Sequence, residues 1–166
     1  MSLRTATALL LIAAACTVTS CTGNDQDFSF TSLRNDGDAT VSFDIDLSDT
    51  ACVYSICLIS RFKKNTQCDD VTFLVRLTSP SGKSGSERIT LPSDYRTVRD
   101  YVRNKPDDNR IKATSAPGYY DISWTYRTNI IPQEYGMWKM DISVAEQDTG
   151  IIGLGTAVSR TPLAEQ

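Results

Sequence analysis

The sequence predicts an all-β protein: a single antiparallel β-sandwich of jelly-roll or immunoglobulin-like type, with one short helix near 94–103. Three observations carry this. Apolar residues recur at every second position in segment after segment, the pattern of strands with one face buried and one wet. Turn formers punctuate the segments, at Asn35-Asp36-Gly37-Asp38, Ser79-Pro80-Ser81-Gly82 and Ala116-Pro117-Gly118. Only one stretch shows helical spacing. Short alternating strands divided by such turns define a sandwich.

The first twenty residues read as a lipoprotein signal peptide. Arg4 is the positive start, Ala8 to Ala15 the apolar stretch, and small residues follow. The apolar run is shorter than the roughly 20 residues that a spanning helix needs. Val18-Thr19-Ser20-Cys21 resembles the lipobox of bacterial lipoproteins. The thiol is the group that chemistry requires, because it takes the diacylglycerol as a thioether. Ala13-Ala14-Ala15-Cys16 competes, but Val18 suits the aliphatic position better. Cys21 is therefore the expected lipidation site, and the acyl chains the expected link to a membrane. Residues 21–27 form a polar tether. Its Asp25 and Asp27 resemble surface-export signals of Bacteroidetes lipoproteins, although a solvated linker needs no such role.

The sandwich is expected over 28–160, with 161–166 a tail. Phe28 to Leu33 reads as an edge strand. Val41, Phe43, Ile45 and Leu47 alternate with polar residues. Val53 to Phe62 is apolar on both faces and therefore central. Val71 to Leu77 alternates, and Glu87 to Leu91 follows. Tyr95, Val98, Tyr101 and Val102 then share a helical face, with Ser93 as the expected cap. Lys105 to Arg110 reads as a polar loop. Tyr120 to Tyr126 and Trp138 to Val144 alternate again, and Ile151 to Val158 completes the set. Phe43, Ile56, Val75, Ile122, Trp124, Trp138 and Ile142 are the expected core.

Composition excludes more than it identifies. The 166 residues carry a net charge of −3, and removal of Arg4 makes the mature chain more acidic, which disfavours nucleic acid as a partner. There is no histidine, which removes Ser-His-Asp and Cys-His catalysis and histidine-based zinc sites. No cofactor is implied. Asp44, Asp46 and Asp49 lie close in sequence, but a wet strand face explains them better than calcium does. Adjacent carboxylates such as Asp107-Asp108 do not flank a cleft. No catalytic or metal site is therefore expected. In a straight strand Cys52 and Cys57 stand about 17 Å apart on opposite faces, beyond disulfide reach. Neither pairs well with Cys68, so no internal disulfide is expected, and Cys57 is read as a small packing residue.

The order of motifs resembles the GldH-type gliding-motility lipoproteins of Bacteroidetes. The resemblance rests on Phe43-x-Ile45-x-Leu47-x-Asp49 and Tyr54-x-Ile56-x-Leu58-x-x-Arg61. It continues through Phe73, Val75 and Leu77 into Thr78-Ser79-Pro80-Ser81-Gly82. It closes with Gly118-Tyr119-Tyr120 and Gly150-Ile151-Ile152-Gly153-Leu154-Gly155. It covers roughly Phe28 to Arg160. It implies a non-catalytic accessory or scaffold of a gliding- or secretion-type machine, anchored in the bacterial cell envelope at the outer membrane, with envelope proteins as partners. The alternative is a cell-surface module for glycan or peptide, for which Tyr119 and Tyr135 are the candidate binding residues. Trp124, Tyr126 and Trp138 have inward parity and belong to the core. Asp49-Thr50-Ala51 resembles the Bacteroidetes O-glycosylation sequon, which makes Thr50 a candidate acceptor.

Overall fold

The computed structural model describes residues 26–33, 40–66, 69–145 and 150–163. Nine strands and one helix follow in the order β1 (Gln26–Ser32), β2 (Val41–Leu47), β3 (Cys52–Lys63), β4 (Asp70–Thr78), β5 (Ser84–Pro92), α1 (Tyr95–Asn104), β6 (Ile111–Ala116), β7 (Tyr119–Ile130), β8 (Gly136–Val144) and β9 (Ile151–Pro162). They form a five-stranded sheet, β1-β9-β3-β7-β6, and a four-stranded sheet, β2-β8-β4-β5.

The pairing is nested. β1 pairs β9, β2 pairs β8, β3 pairs β7 and β4 pairs β5, all antiparallel. That is one long hairpin. Rolling it up adds the contacts β3·β9 and β4·β8. The result is a jelly roll, with β6 added at one edge by its hairpin to β7. Of the two sandwich types the sequence allows, this is the one formed.

The alternating residues do what their period dictates. Val41, Phe43, Ile45 and Leu47 of β2 are buried, as are Val71, Phe73 and Val75 of β4 and Tyr120, Ile122 and Trp124 of β7. Burial of side chains of this size stabilises by about 1.5–3 kcal/mol each. β3 is central as expected, with Tyr54, Ile56, Leu58, Ser60 and Phe62 facing the core. The phenolic oxygen of Tyr54 is fully buried but satisfied. It donates to the Asp49 carbonyl (3.0 Å) and accepts from the Asp49 N–H (2.7 Å). Phe62 stacks on Tyr120, whose hydroxyl donates to the Ser93 carbonyl (3.1 Å).

Several expectations need correction. Gln26 and Asp27, expected in the tether, already belong to β1, and Thr161 and Pro162, expected in the tail, extend β9. Ile111–Ala116 is a strand that the sequence did not announce. Its inward residues Ile111 and Ala113 are only half-buried, so the alternation is faint. The helix is capped by Asp94, not Ser93: Asp94 Oδ2 accepts from the Thr97 N–H (2.8 Å) and from Thr97 Oγ1 (2.7 Å). Ser93 is buried beneath. Trp138 is half-buried, because it lies near the start of β8 beside a loop. Its indole N–H donates to the Glu134 carbonyl (2.8 Å). Tyr126 sits where the β3·β7 register slips, a bulge that breaks the inward parity there.

α1 spans the gap between the edge strands β5 and β6 and covers that flank of the sandwich. On the opposite flank Arg160 of β9 donates to Asp27 of β1 (2.7 Å) and to Asp46 of β2 (3.0 Å), tying the two sheets. Cys52 and Cys57 are free thiols, and Cys68 lies outside the described residues.

Candidate binding face

The outer face of the five-stranded sheet carries the densest unexplained chemistry. Register fixes its rows. Phe30 of β1 stands opposite Gly155 of β9, which stands opposite Ile59 of β3 and then Ser123 of β7. In the next outward row Gly153, Arg61 and Asp121 are aligned. β9 offers glycine at two successive outward positions. A Cβ on Gly153 would lie 2.3 Å from Phe30 Cζ, and one on Gly155 2.7 Å from the Ser29 carbonyl oxygen. Glycine is used because a neighbouring strand and its ring approach this closely.

Arg61 is the hub. Its Nε donates to Asp121 Oδ1 (2.7 Å) and its Nη2 to Asp121 Oδ2 (2.9 Å), a bidentate pair. Its guanidinium carbon lies 4.0 Å from the Tyr119 ring centroid and 4.7 Å from that of Phe30. The carboxylate holds the guanidinium even more firmly protonated than usual. Phe30 in turn stacks on Phe28, with planes 5° apart and centroids 6.3 Å apart. Phe28 is 62% exposed. Lys112 and Thr114 of β6 close the far side of a shallow depression of about 210 Å³. The face therefore offers a flat exposed ring, a fixed ion pair and a lysine.

The sequence-predicted residues separate. Tyr119 belongs to this face but is half-buried beneath Arg61. Tyr135 is 39% exposed in the loop before β8. Tyr119 opens β7 and Tyr135 follows its far end, about 36 Å of strand away, so they form no common platform. Thr50 is exposed in the turn before β3, where Asp49 Oδ1 accepts from the Ala51 N–H (2.8 Å). Cys21 lies outside the described residues. Asp108, one of the adjacent carboxylates, is held by Arg110 (Nη2 to Oδ2, 2.7 Å) and by the Tyr101 hydroxyl (2.6 Å). Those bonds, Arg110's first, keep it ionised far below the usual carboxylate range.

Sequence reading missed the Phe28–Phe30–Arg61–Asp121 cluster. Its one local signal is Arg61, a charge at an outward position of an otherwise apolar central strand. The rest depends on register between strands distant in the chain.

Among the described residues no group of three or more His, Cys, Asp or Glu side chains could hold a metal ion, and no helix is long and apolar enough to cross a membrane. Comparison with protein-family models, with curated proteins and with solved structures returns no match. The class that can be stated is therefore architectural: a nine-stranded jelly roll with a helix over one flank.

Proposed function

We propose that this chain is a lipid-anchored protein of the bacterial cell envelope, and that its jelly roll acts as a non-catalytic accessory or scaffold for another envelope protein. This is the role that the GldH-type resemblance implies. The observation that carries the reading is the position of β1. It begins at Gln26, five positions beyond Cys21. A tether of that length spans at most about 18 Å. Lipid on Cys21 would hold β1 and its exposed Phe28 close to the membrane, where neighbouring envelope proteins stand.

Among the described strands β1 is also an edge of its sheet, exposed along most of its length. An open edge with an exposed aromatic is a template for a strand from another chain. The depression beside it, about 210 Å³, is smaller than typical small-molecule pockets. Its shallow form supports a protein contact. The parallel Phe28 and Phe30 rings beside the Arg61–Asp121 pair support a second reading, a surface glycan- or peptide-binding module.

A photo-crosslinking residue at position 28, activated in native envelope, distinguishes these. The accessory reading expects one discrete protein adduct. A polysaccharide adduct would replace it with the glycan reading, and the absence of any adduct would remove both.

A further inference from the structure

Among the described strands β1, β6, β2 and β5 lie at sheet edges, and the last three are guarded. α1 bridges β5 and β6, which also carry Arg88 and Lys112 on their outward rows. β2 carries Asp44 and Asp46 on its own. Covers and charges of this kind keep an edge from pairing with a foreign strand. β1 is left open. Its seven residues hold register with β9 without a bulge, and its single charge, Asp27, is neutralised by Arg160 (2.7 Å).

The open backbone groups of β1 are self-matched. The Leu33 N–H donates to the Ile152 carbonyl (2.9 Å). Alternation along an antiparallel ladder then turns the backbone of Asp27, Ser29 and Thr31 toward β9, and that of Gln26, Phe28, Phe30 and Ser32 toward the open edge. Those four positions are symmetric about Ser29. In a second β1 laid antiparallel, with Ser29 opposite Ser29, open groups meet open groups throughout: Gln26 faces Ser32 and Phe28 faces Phe30. About eight interchain hydrogen bonds result, and a slip of two residues either way loses about two of them. The charges agree with this register. Asp27 lies opposite Thr31, and the two Asp27 positions stand about 13 Å apart along the strands, beyond a Debye length. The rings agree as well. Phe28 and Phe30 share the outer face, so the pair sets four rings in one row, aromatic opposite aromatic. That row covers Phe28, which is largely exposed in the single chain.

We propose that β1 pairs antiparallel with β1 of a second copy about a two-fold axis at Ser29, joining two five-stranded sheets into one of ten strands. The proposal rests on the reading of β1 as a docking edge and names the strand that docks. A contact of this symmetry closes on itself and needs only one self-matched segment. Seven residues a side is short of the roughly 20–30 of a standard interface, so the pair is weak and exchanging, and covalent trapping is the measurement that catches it.

At the axis the two Ser29 Cα atoms stand about 4.5 Å apart, within disulfide reach, whereas the two Thr31 Cα atoms stand about 13 Å apart, outside it. The full chain carrying Ser29→Cys, oxidised mildly in intact cells, is expected to form a dimer whose linked peptides join position 29 to position 29. Thr31→Cys is expected to give no 31-to-31 link. Phe28→Glu, added to Ser29→Cys, replaces a ring in the row with a charge that faces its own copy across the axis, and is expected to lower the 29-to-29 link at least fivefold. Absence of that link, an equal 31-to-31 link, or a 29-to-29 link indifferent to Phe28→Glu overturns the pairing. A photo-crosslink from position 28 to a different protein, with no 29-to-29 link, removes the second copy and leaves the docking edge. Loss of both removes the edge as well.

Discussion

Tyr54 and Trp124 both project into the core from neighbouring strands, yet their polar ends fare differently. The Tyr54 hydroxyl meets both partners it needs in the Asp49 turn, whereas the Trp124 N–H meets none among the described residues. Parity along the strand predicts that both rings are inside; it says nothing about where the polar atom lands. That explains why Trp124 was legible as core while the fate of its N–H was not. Its ring still supplies packing against Phe73, at 6.0 Å between centroids. Trp124→Ala is expected to cost about 3–5 kcal/mol, read from the urea midpoint, and a loss under about 1 kcal/mol would contradict the core assignment. Glu134 yields a pH prediction. The Ser81 hydroxyl, then Lys83, hold its carboxyl down to about 2, from an ordinary 4.5. A depressed carboxylate stabilises fully above its unfolded value and loses that contribution as pH falls. The link between the β4–β5 turn and the β7–β8 loop should therefore weaken from about pH 4.5 down to about pH 2. The Glu134 carboxyl carbon should titrate near the lower value by NMR; a midpoint near 4.5 would mean that the contact is not formed in solution.

Among the elements, eight of the nine described strands were legible: period two marks those with bulky residues on an inward row, β3 is apolar on both faces, and β1 carries Phe28 and Phe30 on the outer face. β6 escaped because an edge strand with only Ile111 and the small Ala113 as apolar inward residues shows little contrast. The helix was legible from Tyr95, Val98, Tyr101 and Val102, although its cap moved one residue to Asp94. The closeness of β1 and β9 could not be read. It depends on Phe30 lying over Gly153 and Gly155, and alternation alone gives glycine no such meaning. Gly155→Ala would set a methyl group 2.7 Å from the Ser29 carbonyl oxygen and 2.8 Å from Phe30 Cδ2. The backbone atom cannot swing aside, so β1 must move. Amide protection across Gln26–Ser32 is expected to fall at least tenfold while β3 and β7 keep theirs. Unchanged protection in β1 would show that the strands are less tightly apposed than described.

For the molecule as a whole, the sandwich followed from the sequence and its winding did not. Jelly-roll and immunoglobulin-like orders use the same alternating strands and differ only in pairing between distant segments, which local pattern does not encode. The nested pairing brings β1 and β3 to flanking positions on β9, and so places Phe28 and Phe30 on the face that Arg61 and Asp121 occupy. The candidate binding face is a product of topology. The role proposed for it rests on the proposed anchor, because a chain tethered five residues before β1 would present that edge to membrane neighbours and a free one would not. The direct test is the intact mass of the N-terminal peptide from native protein. The account predicts a chain that begins at Cys21, carries diacylglycerol on its thiol and moves to the soluble fraction in Cys21→Ser. An unmodified soluble form, or lipid at Cys16 instead, would contradict it.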